Sequence, residues 1–324
     1  MVTRSLDRWP GTLGRRAGAI AVGLLADAAL GEPPARVHPV ARFGRGMEWA
    51  EGRWWADRRG AGVRHAALGV GAATVLGLVA DRAIGRTRAL ATATGLAAAA
   101  RSLVAAGGAV AGALERGDLS GARDRLPALV GRDTASLDEK EIARAVIESL
   151  SENLSDAVVA SVFWGLCAGT PGVLAHRAAN TLDAMVGHRS ERYARFGWAA
   201  ARLDDVLAWP AARLTVGLVA LAEPRRVGDI WHAVREQAPG HPSPNAGMAE
   251  AAFAAALGLR LGGTNSYGGR VEVRPTLGVG PPPEVRDIRR ALRLARRVWV
   301  ELELLLVGMA LLGSRRRRRN EVSR

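Results

Sequence analysis

The sequence predicts an all-α fold, a polytopic helical membrane protein with about five to six membrane helices joined by polar helical loops. Three observations lead to this prediction. Hydrophobic residues make up 48% of the chain but aromatic residues only 5%, and there are 39 glycines, so the apolar content is mostly small. Small residues at this density are typical of closely packed membrane helices. Apolar stretches alternate with Arg-rich segments, and the chain carries a net charge of +14.

Five apolar stretches are candidate spans, with an Ala-rich stretch as a sixth; in chain order they are 17–30, 66–80, 89–114 (the Ala-rich one), 157–175, 206–222 and 298–313. Several are shorter than the ~20 residues that cross a bilayer, so flanking residues must contribute. Arginines lie beside the first and last spans, which predicts that both termini face the cytoplasm. We expect one membrane domain over 1–324, with flexible basic tails at 1–16 and 314–324.

Several functional classes are excluded by what the sequence lacks. Cys167 is the only cysteine, so neither an internal disulfide nor a cysteine-based metal site can form. Lys140 is the only lysine and lies outside any phosphate-binding Gly-Lys motif, which rules out a Walker A loop. The basic charge forms no stripe with interleaved aromatic residues, so no nucleic-acid partner is expected.

The segment 136–213 carries most of the residues that could perform chemistry. Ser136 followed by Glu139 fits a capping box and predicts a helix start. Two rows then recur every four residues on opposite faces of this helix. The apolar row consists of Ile142, Val146, Leu150 and Leu154. The polar row has Asn153 beside it and consists of Arg144, Glu148, Glu152 and Asp156. The polar row is either a solvated face or a functional site, and the apolar sequence that follows it favours the second.

Further polar groups lie later in the same segment. Asn180 and Asp183 share a helical face, since they are three residues apart. Asp204 and Asp205 lie between Arg202 and Arg213. These charges could form an internal ion-pair network, or could bind Mg²⁺ and a phosphorylated ligand.

Two proline-containing segments complete the candidate site. His38 lies in a stiff, non-helical connection after the first span. The stretch HPSPNAG at 241–247 precedes an Ala-rich helix starting near Asn245, with Ser243 or Asn245 as its cap. Free N–H groups at a helix start favour anions such as phosphate, although an ordinary capped start is the alternative. A short strand is expected at 270–274 and an Arg-rich helix at 284–297.

Taken in order, these motifs resemble one family. The matching stretches are LLADAALGEPPARVHPVARFG at 24–44, GRDTASLDEKEIARAVIESLSENLSDAVVAS at 131–161, NTLDAMVGHRSERYARFGWAAARLDDVLAWPAARLT at 180–215, HPSPNAGMAEAAFAAALGLRLGG at 241–263 and RPTLG at 274–278. Together they resemble the CobD/CbiB family of integral-membrane cobalamin biosynthesis proteins, the adenosylcobinamide-phosphate synthases. The resemblance covers nearly the whole chain.

The resemblance implies a ligation at the cell membrane. The F side-chain carboxylate of adenosylcobyric acid would be joined to (R)-1-amino-2-propanol O-phosphate, with ATP and Mg²⁺ as cofactors. The corrinoid, the amine, the bilayer and other corrinoid-pathway enzymes are the expected partners. An AmpE-like membrane sensor or a corrinoid carrier is the alternative function, but the number of polar groups favours an enzyme.

Together with the residue chemistry, the resemblance suggests site roles. The expected catalytic residues are Glu148, Glu152, Asn153, Asp156, Asp204 and Asp205. Substrate and phosphate would be bound by Asn180, Asp183, Arg202, Arg213, His241, Ser243, Asn245 and His38. The expected Mg²⁺ ligands are Glu152, Asp156 and Asp205.

Overall fold

A computed structural model of the chain describes residues 9–188, 190–267 and 270–322. It is helical apart from one hairpin, which confirms the predicted all-α class. The α-helices are α1 (Trp9–Leu30), α2 (Pro39–Trp54), α3 (Arg59–Ala83), α4 (Arg86–Ala98), α5 (Ala100–Glu115), α6 (Leu119–Arg125), α7 (Glu139–Asn153), α8 (Ala160–Leu182), α9 (Trp198–Ala222), α10 (Val227–Glu236), α11 (Ala246–Leu257) and α12 (Val285–Val322).

Two π-helical segments and three short 3₁₀ turns interrupt or join these helices. The π segments follow α7 and α8, at Leu154–Val159 and Asp183–Gly187. The 3₁₀ turns cover Leu126–Ala128, Pro224–Arg226 and Ala238–Gly240. Strands β1 (Leu261–Tyr267) and β2 (Arg270–Leu277) pair antiparallel, so the strand predicted at 270–274 is confirmed and has a partner.

Within the described residues, four helical runs are long and apolar enough to cross a bilayer: Arg59–Ala83, Arg86–Glu115, Glu139–Gly187 and Trp198–Ala222. They contain four of the predicted spans, including the Ala-rich candidate at 89–114. The predicted spans at 17–30 and 298–313 lie in α1 and α12, which are not among the four. Arginines in α1, and glutamates with arginines in α12, lower the mean hydropathy of these helices. The expected five to six spans are therefore only roughly matched.

Large apolar side chains are exposed along several of these helices. Helix α3 exposes Val75, Leu76 and Val79, and α12 exposes Leu304 and Leu312. Contiguous apolar surface of this kind marks contact with lipid or with another apolar surface. The exposed faces fit the membrane character that the sequence predicts.

The chain divides into two compact units. The first contains residues 1–99, 160–208 and 302–324, and the second contains 100–159 and 209–301. That residues 1–324 act as one domain stays a prediction. The flexibility of the tails at 1–16 and 314–324 likewise stays a prediction, although α1 covers 9–16 and α12 continues through 322. Residues 1–8 and 323–324 lie outside the described residues.

Helices of the first unit approach closely at glycines. A Cβ added to Gly23 of α1 would meet the Ala91 carbonyl oxygen of α4 at 2.4 Å. One added to Gly77 of α3 would meet Pro171 Cα of α8 at 2.7 Å. Larger residues would push these helices apart. The high glycine content therefore serves helix packing, as the composition suggested.

The predicted break at GTPG is present in α8 and is stabilised by an arginine. Gly169 has φ +68° inside the helix, and Pro171 lacks the N–H that would bond to Cys167. Arg16 Nη1 of α1 donates hydrogen bonds to the carbonyl oxygens of Leu166 and Cys167, each at 2.8 Å. The guanidinium thus takes the place of the helical donors that the kink removes.

The second unit is built around α11, which is buried almost along its whole length. It packs against α7, α10 and the hairpin. On another side of α7, Gly107 of α5 lies against Leu150 and Val146. A helix that is apolar all round belongs in a core, and Glu250 is the single charged residue in α11.

The capping box of α7 lies two residues later than predicted, which corrects the predicted helix start. Asp138 is the N-cap: its side chain accepts from the Glu141 N–H, and the Glu141 side chain accepts from the Asp138 N–H. The box has the expected chemistry, but Ser136 and Glu139 do not form it. The apolar row of α7 is buried as expected.

The kink in α8 gives a stability prediction. Replacing Arg16 by Met should leave the Leu166 and Cys167 carbonyls without their donor, at a cost of up to about 1–3 kcal/mol for the part-buried Leu166 group and less for the exposed Cys167 group. We expect a clearly lower melting temperature of the detergent-solubilised protein, followed by tryptophan fluorescence. The neighbouring Arg15 is exposed, so Arg15→Met should melt like the wild type. Equal melting temperatures for both variants would contradict this role of Arg16.

Candidate active site

A buried group of charged side chains lies in the second unit, and we call it the carboxylate cluster. It contains three carboxylates from two helices together with basic residues from the adjoining segments: Glu148, Glu152, Glu250, Arg132, Arg274 and His241. Only Glu148, Glu152 and His241 were expected from the sequence to belong to the site.

Glu148 is held at both carboxylate oxygens. Arg132 Nη2 donates to its Oε2 at 2.6 Å, and the Gly262 N–H donates to its Oε1 at 2.9 Å. Arg132 Nη1 also donates to Asn265 Oδ1 at 2.7 Å. The side chains of Arg132 and Glu148 are only 5% and 2% exposed, so this ion pair is excluded from water. Glu148 therefore joins α7 to the segment before it and to β1.

A β-bulge in the hairpin presents the backbone groups that bind α7. The register shifts between Leu261 and Gly263, and Gly262 has φ +83°. A Cβ at Gly262 would meet the Pro275 carbonyl oxygen at 2.0 Å, so only glycine fits there. Arg144 donates to the carbonyl oxygens of Gly262 and Thr264, the latter at 2.7 Å. Thus the predicted polar row of α7 binds the hairpin through its first members.

Beyond Glu152 the predicted row does not continue. Asp156 lies in the π segment Leu154–Val159, where each turn takes an extra residue and the four-residue spacing no longer keeps side chains in line. Asn153 Nδ2 donates to the carbonyl oxygen and to Oγ of Ser149, at 2.9 and 3.0 Å. π segments are frequent at functional sites, and this one directly follows the cluster.

Glu250 is as fully buried as Glu148. The residue is 1% exposed, and neither of its carboxylate oxygens accepts a hydrogen bond from the described residues. His241 Nε2 lies 3.7 Å from its Oε1, and Arg274 Nη1 lies 4.0 Å from the same oxygen. Burial raises the pKa of Glu250 well above its ordinary value, and the charges of Glu148 and Glu152 raise it further.

His241 forms part of the turn that leads into α11. Its Nδ1 lies 3.1 Å from the N–H and from the carbonyl oxygen of Ser243. Burial lowers the pKa of His241, which favours the neutral imidazole.

The predicted phosphate-binding residues at the start of α11 are already bonded to one another. Asn245 is the N-cap residue of α11, but its side chain makes no capping hydrogen bond. Ser243 Oγ accepts from the N–H groups of Asn245 and Ala246, at 3.3 and 3.1 Å. Arg213 Nη1 donates to Asn245 Oδ1 at 2.9 Å, and its guanidinium lies 4.5 Å from the centre of the Trp209 ring. This arrangement has the form of a capped helix start next to an arginine.

The other predicted residues belong to the first unit. His38 caps α2, with Nδ1 accepting from the Val40 N–H at 3.2 Å, and its Nε2 lies 3.4 Å from Glu32. Asn180 Oδ1 accepts from Arg177 of the same helix at 3.3 Å.

Asp183 opens the second π segment. Arg202 and Asp205 pair within α9 at 3.3 Å, and the neighbouring Asp204 is buried. The Arg202–Asp205 contact is therefore one of the ion pairs that the internal-network alternative predicted.

Another buried acid of the first unit, Glu51, was not predicted. Glu51 Oε1 accepts from Arg192 Nη2 and from the Tyr193 hydroxyl, each at 2.9 Å. The Arg192 guanidinium also lies 4.7 Å from the centre of the Trp55 ring. Hydrogen bonding to Glu51 raises the pKa of Arg192, so the pair is firmly ionic.

Among the described residues, no group of three or more His, Cys, Asp or Glu side chains is arranged to hold a metal ion alone. Mg²⁺ in nucleotide-using sites is commonly bound through one or two carboxylates plus substrate phosphates. Glu148 is unsuited as a ligand because both its oxygens are occupied, whereas the half-buried Glu152 has the required oxygen chemistry. The cluster could therefore supply one carboxylate ligand to a Mg²⁺ ion whose other ligands are phosphates.

Sequence reasoning missed Arg132, Arg274, Glu250 and Asn265. A usable indication existed for Glu250, because a lone carboxylate inside AGMAEAAFAAAL is costly to bury and so suggests function. Arg132 and Asn265 are 133 positions apart, and no sequence periodicity connects them.

The raised pKa of Glu250 gives a pH prediction. A carboxyl whose pKa rises on folding stabilises the fold below its unfolded-state pKa of about 4.3, and this contribution is lost as the pH rises through the folded-state value. Glu250→Gln cannot ionise, so it should lose less stability than the wild type between about pH 5 and pH 8. Melting temperatures across this range test the prediction, with the exposed Glu236→Gln as control. Parallel curves for the wild type and Glu250→Gln would contradict it.

Comparison with known proteins identifies the family. The sequence model described as CobD/Cbib protein matches residues 20–295. A "Cobalamin biosynthesis protein CobD" of Mycobacterium tuberculosis (strain ATCC 25618 / H37Rv) is 46% identical over 298 residues, covering 90% of this chain and 95% of that protein. A protein of the same name from Chromobacterium violaceum is 44% identical over 304 residues, covering 90% and 96%. No solved structure matches the chain. The chain therefore belongs to the CobD/CbiB family of cobalamin biosynthesis proteins.

Proposed function

We propose that this protein is an acid–amine ligase of the adenosylcobinamide-phosphate synthase type. It would join the F side-chain carboxylate of adenosylcobyric acid to (R)-1-amino-2-propanol O-phosphate, with ATP activating the carboxylate. The family supports a role in cobalamin biosynthesis. The ligation itself is our proposal.

The carboxylate cluster is the observation that carries this proposal. A sensor or a carrier has no need of three carboxylates, two of them fully buried, grouped with two guanidinium groups, because burying charges is costly. A ligase does need them, since phosphoryl transfer to a carboxylate brings several negative charges together. Groups fixed in advance and shielded from water stabilise such charges best.

The residues of the cluster would have two different roles, one structural and one in phosphate binding. Glu148 and Arg132 bond to each other and to the hairpin, so they would act as a fixed frame. The side chain of Arg274 is 18% exposed, against 5% for that of Arg132, and Arg274 would bind phosphate. Arg213, beside Asn245, would be a second phosphate-binding group.

Magnesium fits this scheme as part of the nucleotide complex. Glu152, with Asp156 after it in the chain, would be the protein ligands, and the role expected of Asp205 stays a prediction. When bound, Mg²⁺ would neutralise phosphate charge during transfer. Neutralisation by the protein itself would come from Arg132 and Arg274, whose charges act on Glu152.

The substrates, the bilayer and other corrinoid-pathway enzymes are the partners we propose. The four long apolar helices support a multi-pass protein of the cell membrane. Arginines near both ends of the chain favour cytoplasmic termini.

The proposal is tested in membranes from an expressing host. Adenosylcobyric acid, aminopropanol phosphate and Mg-ATP are supplied, and the mass of the product is read by mass spectrometry. We expect adenosylcobinamide phosphate to form only when ATP is present. Corrinoid retained by the membranes without product would instead favour the carrier or the AmpE-like sensor.

In the same assay, Glu152→Gln should lower the rate of product formation about 100-fold or more, the loss typical of a missing electrostatic group. The control is Glu139→Gln, which removes an exposed carboxylate from the same helix and should keep the wild-type rate. Membrane content of both variants is compared by immunoblot. Full activity of Glu152→Gln at normal protein levels would remove Glu152 from the site.

A further inference from the structure

Glu250 is a buried carboxylic acid to which the proposed function above assigns no role. Its carboxylate lies in a helix that is otherwise apolar, and the residue is 1% exposed. Neither oxygen receives a hydrogen bond from the described residues. A buried carboxylate in this condition costs stability unless a ligand satisfies it.

The charges that face Glu250 do not balance its own charge when it is ionised. Glu148 and Glu152 of α7 act on it with negative charge, and Arg274 of β2 and Arg132 act on it with positive charge. When Glu250 is ionised, three carboxylates face two guanidinium groups, and a bound cation would favour this ionised form over the neutral form that burial favours. Arg132 is already bonded to Glu148, and Arg274 also pairs with Glu272 at 3.3 Å. Burial lowers the pKa of His241, which favours its uncharged form.

We propose that Glu250 binds the amino group of the amine substrate, recognised as a primary ammonium ion. This inference rests on the proposed function, because it names the group that selects one of the two joined substrates. An ammonium group offers three donors, and both oxygens of Glu250 can accept. Arg274, 4.0 Å from Glu250, is within reach of a phosphate on the same small molecule.

The position of Glu250 suits selection among amines and alcohols. A buried carboxylate gains little from a neutral hydroxyl, but forms a charge-assisted hydrogen bond with an ammonium ion. A substrate without the amino group would leave the buried carboxylate without a charge-assisted hydrogen bond from the ligand, which is how polar sites reject analogues. Glu250 would thus exclude the corresponding alcohol.

The test compares two ligands that differ only at this group. (R)-1-Amino-2-propanol O-phosphate carries the ammonium, and (R)-1,2-propanediol 2-phosphate replaces it with a hydroxyl. We measure the rise in melting temperature that each gives to the detergent-solubilised protein, without ATP or corrinoid. The wild type should be stabilised by the amine and much less by the diol. Glu250→Gln should lose this discrimination, and Glu236→Gln, exposed on α10, should keep it.

The second measurement is the ligation itself. Glu250→Gln should raise the KM for the amine by about 10- to 100-fold, the range that one charge-assisted hydrogen bond supplies. The KM for adenosylcobyric acid should stay near the wild-type value. Because Gln has the shape of Glu, the melting temperature without ligand shows whether the variant is folded. If Glu250→Gln does not fold, Glu250→Asp, which keeps the charge but shortens the side chain, should show a smaller loss of the same kind.

The outcomes separate this inference from the proposed function. A wild type that makes product, with a Glu250→Gln variant of unchanged amine KM and unchanged discrimination, would overturn the role of Glu250 alone. A wild type that makes no product but prefers the amine in the melting assay would overturn the ligase and leave the ammonium site standing. Equal stabilisation of the wild type by the amine and the diol would overturn the ammonium site.

Discussion

The buried ion pair between Arg132 and Glu148 is the interaction on which the second unit depends. It joins the segment before α7 to α7 itself, and through Asn265 and the Gly262 N–H it also holds β1. Charges so far from water are favourable only when their remaining hydrogen bonds are made. Here both oxygens of Glu148 are satisfied. The pair therefore fixes the backbone around the other carboxylates instead of competing with them for a ligand.

The same requirement, that buried polar groups find partners, shapes the first unit. The Gly169–Pro171 break leaves helical carbonyls without donors, and Arg16 supplies them from α1. Glu51 is likewise satisfied by Arg192 and Tyr193. Glycines at helix contacts allow this packing without bulky side chains. Polar groups that lack such partners stand out by contrast, and Glu250 is the clearest of those in the described part of the second unit.

Features that depend on neighbouring residues could be predicted from the sequence. The apolar row of α7, the helical break at GTPG and the strand at 270–274 are local patterns, and all three are present. The capping box was misplaced because Asp138 and Glu141 offer the same chemistry two positions later. Contacts between distant segments could not be predicted. The sequence gives no spacing rule that links Arg132 to Asn265, and it does not reveal the π segment that takes Asp156 out of line.

The most direct test of this account is a double-mutant cycle on the buried pair. Arg132→Met, Glu148→Gln and the double variant are compared by melting temperature and by product formation. Removing one partner leaves an unpaired buried charge and should cost about 3–5 kcal/mol, whereas removing both charges should cost much less than the sum. We therefore expect the double variant to be more stable than either single variant, with product formation still lost. Additive losses of stability, or full activity in the double variant, would contradict the account.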